Sequence, residues 1–156
     1  MHLIFSRKGA GKTDQLEVRR DGVVTERIDC PKQGIVPHDM VHYAVENGLR
    51  RRGFIGRVLE GEAASFRMAA NSESDGVERL VEVFQADGWA GWNTPPQDLL
   101  DMYRVTCQAR QCTPLTVSLD DLESVRQKLL QLTQQWRAVA VGDALVLPGA
   151  DTHTDD

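Results

Sequence analysis

The first thirty residues alternate between apolar and polar side chains, the period-two pattern that is typical of a half-buried strand. Extended segments are predicted at residues 3–5, 15–20 and 23–28. The Asp21-Gly22 pair separates the last two segments and is a strong signal for a two-residue hairpin turn. The N-terminal part of the chain is therefore predicted to form a β-meander.

From residue 37 onward the apolar positions recur at intervals of three and four, which indicates amphipathic helices. The first helix is predicted to begin at about Pro37, because proline is common at the first helical position. Gly48 or Gly53 ends it, since either glycine could adopt the left-handed conformation of a helix cap. Further helices are predicted over residues 54–70 and 77–88.

Two more helices are predicted. Thr94-Pro95-Pro96-Gln97 has the form of a capping box with Thr94 as the N-cap residue, and Ser118-Leu119-Asp120-Asp121 opens the last helix. The last helix carries a regular apolar seam whose members step by three and four, at Leu122, Val125, Leu129, Leu132 and Trp136. A seam of this regularity is predicted to pack against another element.

The C-terminal part returns to apolar runs at residues 138–141 and 144–147, separated by a Gly142-Asp143 turn. The last run is predicted to add a strand to the N-terminal sheet. The sequence therefore predicts one α+β domain over residues 1–149, in which a small antiparallel sheet packs on four or five helices. Residues 150–156 are predicted to be a disordered polar tail.

Composition places the chain among globular proteins. Of its 156 residues, 41% are hydrophobic and 26% are charged. No apolar run approaches the roughly 20 residues that a membrane-spanning helix needs, and the N-terminus lacks the apolar core of a signal peptide. Three cysteines, Cys30, Cys107 and Cys112, cannot all pair within one chain and are predicted to be buried free thiols. We therefore expect a cytoplasmic protein that does not interact with membranes.

Charge is distributed unevenly along the chain, although the total is only −5. Residues 1–57 carry 11 Lys and Arg against 7 Asp and Glu, whereas residues 58–156 carry 7 against 16. The basic half could meet phosphates, or it could meet the acidic half of its own or another copy. Such an asymmetry bears on association rather than on the fold.

Gly9-Ala10-Gly11-Lys12-Thr13 resembles the end of a phosphate-binding loop, but two features argue against nucleotide binding. The full motif would place its first glycine at position 6, which is Ser6. The residues after Thr13 alternate as a strand, so no helix N-terminus would face a phosphate. A glycine-rich β-turn without a nucleotide is therefore predicted.

His38-Asp39-Met40-Val41-His42 places two imidazoles at positions i and i+4, on one face of the predicted first helix. Two such side chains are close enough to share a divalent metal such as zinc. Their position at a helix N-terminus favours the neutral imidazole, which is the form that binds metals. The sequence therefore predicts His38 and His42 as metal ligands. The alternative is that they cap the helix and make hydrogen bonds at the edge of the core.

Two neighbouring acids do not complete this site by sequence alone. Asp39 occupies the position of the general base in the His-Glu-x-x-His signature of zinc proteases, but it is one methylene shorter than Glu. Glu46 and His38 would lie about 12 Å apart along a straight helix, so Glu46 is not predicted as a ligand shared with both histidines. A third ligand is expected from elsewhere in the fold, and no catalytic residue is predicted.

A segment of about 25 residues, from Lys32 to Gly56, contains Pro-His-Asp-x-x-His at residues 37–42 and ends with Arg-Gly-Phe-Ile-Gly at residues 52–56. The segment resembles one found in short, uncharacterised bacterial proteins. The resemblance implies a bacterial source. It supplies no activity and no functional residue.

Three functional hypotheses follow. The first is a non-enzymatic interaction or oligomerising module, suggested by the charge asymmetry and by the seam at residues 122–136. The alternative is a metal-dependent hydrolase with its metal at His38 and His42. The third is weak nucleic-acid binding through Arg50, Arg51 and Arg52, which the overall acidic charge disfavours.

Overall fold

A four-stranded antiparallel sheet forms one layer of the protein. The structure, a computed structural model, describes residues 2–49 and 72–148. The strands are β1 (His2–Arg7), β2 (Thr13–Arg20), β3 (Val23–Pro31) and β4 (Ala144–Pro148), in the order β3-β2-β1-β4. The predicted β-meander and the return of the C-terminal strand to its edge are both confirmed.

The turn between β2 and β3 is the one that the sequence predicted. Asp21 and Gly22 have φ angles of 51° and 83°, as a type I′ turn requires at its two central positions. This turn fixes the register of the two strands, which is interrupted by an irregularity between Val18 and Arg19. The local sequence therefore determines the hairpin.

The glycine-rich loop between β1 and β2 leads into a strand and not into a helix, as the sequence predicted. Its first glycine is required by close packing, because a Cβ atom on Gly9 would lie only 2.0 Å from the carbonyl oxygen of Thr13. The Gly9 N–H donates to Asp14 Oδ1 at 2.9 Å, and Lys32 Nζ lies 2.6 Å from the same oxygen. The loop is thus organised by Asp14.

Within the described residues, four helices cover the other layer. They are α1 (His38–Leu49), α2 (Ser72–Trp89), α3 (Pro96–Ala109) and α4 (Leu119–Arg137). The fold is therefore α+β, as predicted. Helix α1 begins one residue after Pro37. Helix α2 begins earlier than expected, because residues 72–76 form its first turns, where Glu73 and Asp75 interact favourably with the helix dipole.

The predicted starts of the last two helices have different outcomes. The start at Ser118 is confirmed, and the structure adds a capping box there: the Ser118 hydroxyl accepts from the Asp121 N–H at 3.0 Å, and the Ser118 N–H donates to Asp121 Oδ2 at 2.8 Å. The prediction for Thr94 is wrong, because Pro95 is the N-cap residue and makes no side-chain capping bond. The Thr94 N–H donates instead to the distant carboxylate of Asp87 at 3.0 Å.

The core lies between the sheet and the helices, with α1 at its centre. Residues 39–46 of α1 are all buried, and this helix packs against α2, α4 and β3. The seam of α4 is buried in the same core, from Leu122 at 0% exposure to Trp136 at 8%. The seam therefore finds its partners within the chain.

Residues 138–141, the first of the two apolar runs near the C-terminus, do not form a strand. Helix α4 runs on to Arg137, and Ala138 is its C-cap. The Val139 N–H still bonds to the Trp136 carbonyl, and the Gly142 N–H reaches the Lys8 carbonyl at 2.7 Å. The four residues are thus used to turn the chain from α4 into β4.

Several predictions fall outside the residues that the structure describes. They are the helix over residues 54–70, the helix end at Gly53, the basic cluster at residues 50–52 and the polar tail at residues 150–156. Across residues 2–49 and 72–148, no helix combines the length and apolar character needed to cross a membrane.

Candidate metal centre

Three side chains from two neighbouring helices converge beside the core. His38 is the first residue of α1, His42 lies one turn later, and Glu78 lies in the second turn of α2. One ligand atom from each lies within 4.8 Å of the others. Packing of α1 against α2 therefore brings a third candidate ligand, which the sequence could not identify, to the two histidines.

The donor atoms are closer together than this limit suggests. The Nε2 atoms of His38 and His42 are 3.1 Å apart, and the oxygens of Glu78 lie 3.0 Å from His42 Nε2 and 3.7 Å from His38 Nε2. Donors bound at 2.0–2.1 Å around a tetrahedral zinc ion are separated by about 3.3 Å. The spacing thus matches a site for an ion of that size.

A second set of contacts holds the opposite nitrogen of each imidazole. His42 Nδ1 lies 3.2 Å from Glu46 Oε2, and His38 Nδ1 lies 2.8 Å from Gln85 Nε2. The Gln85 amide also donates to Gln33 Oε1 at 2.7 Å, so a residue of the β3–α1 connection fixes its position. Both rings are therefore oriented with Nε2 toward Glu78, the arrangement in which outer contacts hold metal-binding histidines.

The three candidate ligands differ in exposure. The His42 side chain is only 3% exposed, whereas His38 and Glu78 are exposed by 37% and 36%. The cluster thus has a buried anchor and an edge that solvent reaches. An ion held by these three side chains could take a further ligand, such as water, from the exposed edge.

The two histidines ionise differently. Burial together with the nearby His42 lowers the pKa of His38, so its ring is neutral at pH 7. Burial alone would also lower the pKa of His42, but its hydrogen bonds to Glu46 and Glu78 and their negative charges raise the pKa to about 9. The expectation of two neutral rings is therefore wrong for His42. The two carboxylates outweigh the partial positive charge of the helix start.

Glu78 is held in its charged form by the same contacts. Burial opposes its ionisation, but the hydrogen bond from His42 and the positive charges around it hold the pKa of Glu78 below its usual range. At pH 7 the cluster therefore consists of the Glu78 carboxylate, the neutral His38 imidazole and a protonated His42 imidazole.

Asp39 faces away from this cluster. Its carboxylate accepts a hydrogen bond from the buried Cys30 thiol at 2.9 Å. Burial, and then the negative charge of Asp39, raise the pKa of Cys30 far above its usual range. Asp39 is thus engaged inside the core and does not occupy the position of a general base.

Glu46 behaves as the helix geometry predicted, because it does not belong to the group whose ligand atoms converge. Sequence reasoning did not assign it the role that it has, which is to bind the far side of His42. It also missed Glu78 and Gln85. These two residues are seven positions apart on α2 and border its apolar stripe, a pattern that equally describes an ordinary helix edge.

Within the described ranges, His38, His42 and Glu78 are the only group of three histidine, cysteine or acidic side chains with such convergent ligand atoms. The three cysteines are free, and Cys30 and Cys107 are buried as predicted, whereas Cys112 is partly exposed. No protein-family model, curated protein or solved structure matches the chain. The site therefore has to be interpreted from its own chemistry.

Proposed function

We propose that this protein binds a divalent transition-metal ion through His38, His42 and Glu78. The observation that carries the proposal is the 3.1 Å separation of the two Nε2 atoms, with a Glu78 oxygen 3.0 Å from one of them. Three donors at this spacing are within reach of one ion. Glu46 and Gln85 also orient the two rings through contacts to Nδ1 of His42 and of His38.

The donor set favours zinc or a metal of similar preference over calcium or magnesium. Imidazole nitrogen suits Zn, Fe, Co, Ni and Cu, whereas calcium and magnesium prefer sites made only of oxygen. A set of two histidines and one carboxylate is used both by catalytic zinc sites and by non-haem iron sites. Zinc and ferrous iron are therefore the first ions to test.

The solvent-exposed edge of the cluster supports an enzymatic role for the metal. Three protein ligands leave at least one coordination position for water, and zinc lowers the pKa of bound water toward neutrality. Hydrolysis is the reaction that such a water performs. Neither Asp39 nor Glu46 is free to assist as a base, since each is engaged by another buried side chain.

Analysis of bound metal tests the proposal directly. The protein is stripped with a chelator, reloaded with zinc or cobalt(II), freed of excess ion and analysed for bound metal. Wild type is expected to retain one equivalent, and Glu78→Gln is expected to lose it. Glu82→Gln is the matched control, because Glu82 lies one turn along α2, is 33% exposed and pairs with Arg79 and Arg110 instead. Equal metal in wild type and Glu78→Gln would refute the proposal.

An interaction or oligomerising role is kept as a second proposal. The buried seam of α4 no longer supports it, but Met102 and Val105 are 37% and 65% exposed, three positions apart on α3. Exposed apolar side chains on one helix face can mark a contact surface. Concentration-dependent sedimentation of wild type and Val105→Ser tests this role. A strictly monomeric wild type would count against it.

Nucleic-acid binding through residues 50–52 remains a third, weaker proposal, supported by the sequence alone. Its test is affinity for a DNA duplex across a salt series, and affinity that does not fall with rising salt would refute it. We also propose a bacterial source, from the sequence resemblance, and a cytoplasmic location, from the composition.

A further inference from the structure

The C-terminal end of α3 brings two cysteines together. Gln111 has a φ of 54°, the left-handed conformation that commonly follows a helix. The Cys112 N–H bonds to the Cys107 carbonyl at 2.9 Å, and the Gln111 N–H bonds to the Gln108 carbonyl at 3.2 Å. These two bonds define a Schellman motif, in which the side chains at the Cys107 and Cys112 positions are usually in contact.

The two thiols are close enough that Cys112 is among the groups that raise the pKa of Cys107. They differ in access to solvent: Cys107 is 1% exposed, whereas Cys112 is partly exposed. A partly exposed thiol that touches a buried one is the arrangement of an attacking and a resolving cysteine.

We propose that Cys107 and Cys112 are a modification site, at which exchange with a low-molecular-weight disulfide closes an intramolecular disulfide across the α3 cap. This site is separate from the metal centre and does not depend on it. Cys30 takes no part, since it is buried on β3 and its thiol donates to Asp39.

The exchange proceeds in two steps. The Cys112 thiolate attacks one sulfur of the small disulfide, forms a mixed disulfide and releases one small thiolate. The Cys107 sulfur then attacks Cys112, gives up its proton to solvent and releases the second small thiolate. The two protein thiols are oxidised by two electrons, and the small disulfide is reduced to two thiols.

The order of attack follows from the surroundings of each thiol. Burial, and then the neighbouring Cys112, raise the pKa of Cys107 to about 11, so this thiol is a poor first nucleophile near neutral pH. Once Cys112 carries the small thiol, however, the activated sulfur lies beside Cys107. The local concentration of the resolving thiol then favours ring closure over accumulation of the mixed disulfide.

The bond would reinforce a junction between three segments. The Tyr103 hydroxyl donates to the Gly76 carbonyl at 2.9 Å and accepts from the Leu115 N–H at 2.9 Å. The segment that follows Cys112 is thus attached to α3 and, through Tyr103, to the first part of α2. A disulfide at the cap fixes the start of this segment covalently.

The test treats the folded, full-length protein with oxidised glutathione and follows intact mass and disulfide-linked peptides. Wild type is expected to lose two hydrogens, to show a 107–112 link and to retain one thiol, on Cys30. Cys107→Ala is expected to accumulate one glutathione on Cys112, because the resolving thiol is gone. Cys112→Ala is expected to remain unmodified while folded.

Circular dichroism establishes that each variant is folded before it is used. Three results would overturn the proposal: a stable glutathione adduct on wild type without ring closure, a disulfide that involves Cys30 or a second chain, or no reaction of folded wild type under conditions that oxidise the urea-unfolded chain. The Cys112→Ala variant keeps the test decisive even if Cys107→Ala does not fold.

Discussion

Two of the charged clusters in the described part of the chain join neighbouring helices, and they are built on different rules. One joins α2 to α4 through Asp87 and Arg126, whose side chains are 0% and 8% exposed. The other joins α1 to α2 through His38, His42 and Glu78, and two of its members are more than one-third exposed. The first is closed to solvent and the second is open at one edge.

In the closed cluster every contact joins a donor to an acceptor. Arg126 donates to Asp87 at 3.4 Å, to the Thr94 carbonyl and to Glu123 at 3.0 Å. Asp87 also accepts from the Thr94 N–H. A buried ion pair of this kind fixes three chain segments relative to one another, and the protein itself satisfies both charges.

In the open cluster, groups of the same kind converge. Two imidazole nitrogens face each other at 3.1 Å, and a carboxylate lies beside them. Lone pairs that point toward one position suit a cation, and a proton on His42 is the smallest cation that can serve. The comparison teaches that burial of charge alone does not indicate a site, whereas convergence of electron-pair donors does.

The largest expected effect concerns the closed cluster. Asp87→Asn should reduce the free energy of unfolding by about 3 kcal/mol, because it removes the buried carboxylate beside Arg126 and leaves that charge with the more exposed Glu123. Urea denaturation measures this change. Asp101→Asn is the control, since Asp101 is exposed and its carboxylate accepts a hydrogen bond from Gln97, and a change of under about 0.5 kcal/mol is expected there. Metal binding by Asp87→Asn should be unchanged, and a loss of metal would contradict the separation of the two clusters.

The open cluster should make the stability of the metal-free protein depend on pH. The pKa of His42 is about 9 in the folded protein and about 6.5 when unfolded, so its contribution is complete below pH 6.5 and is lost as pH rises through 9. The free energy of unfolding should fall by roughly 1–3 kcal/mol across this interval. His42→Gln should lack that decrease, and an equal decrease in both proteins would disprove the assignment.

The outer contact of His42 should tune metal affinity. Glu46→Gln removes a carboxylate that holds His42 Nδ1, so we expect zinc affinity to fall by about 10- to 100-fold. Competition with a chromophoric chelator measures it. Glu26→Gln, on β3, is the control and should bind zinc as wild type does. Unchanged affinity in Glu46→Gln would mean that Glu46 does not support a metal ligand.

The smallest expected effect concerns His38. The side-chain amide of Gln85 lies 2.8 Å from His38 Nδ1, on the side of the ring away from the atom that would bind the metal. Gln85→Glu places an acceptor there instead and favours the tautomer with Nε2 free. Zinc affinity should rise by a few-fold, up to about tenfold. A decrease in the same competition assay would show that Gln85 orients His38 in another way.

The sequence predicted the elements of this fold well because their signals are local. The Asp21-Gly22 turn, the helix start at Ser118 and the seam of α4 each depend on residues within one element. The Thr94 cap failed because Asp87, seven residues earlier, takes its N–H once the chain has folded. The apolar run at residues 138–141 carried no local signal for its conformation, because the length of α4 is what leaves these residues as the connection to β4.

Two of the three residues of the candidate site could be predicted, because their signal is also local. His38 and His42 lie on one helix, and their spacing alone places them together. Glu78 joins them only because α1 and α2 pack side by side in a particular rotation, which no local pattern specifies. The raised pKa of His42 likewise depends on Glu78, from another helix.

X-ray absorption spectroscopy of the protein loaded with one equivalent of zinc tests the central claim most directly. The account predicts a first shell with two imidazole nitrogens and a carboxylate oxygen, at about 2.0–2.2 Å, completed by oxygen from solvent. In Glu78→Gln the imidazole signal should weaken with the lost occupancy, whereas Glu82→Gln should reproduce the wild-type spectrum. A wild-type shell without two imidazoles, or one that Glu78→Gln leaves unchanged, would contradict the account.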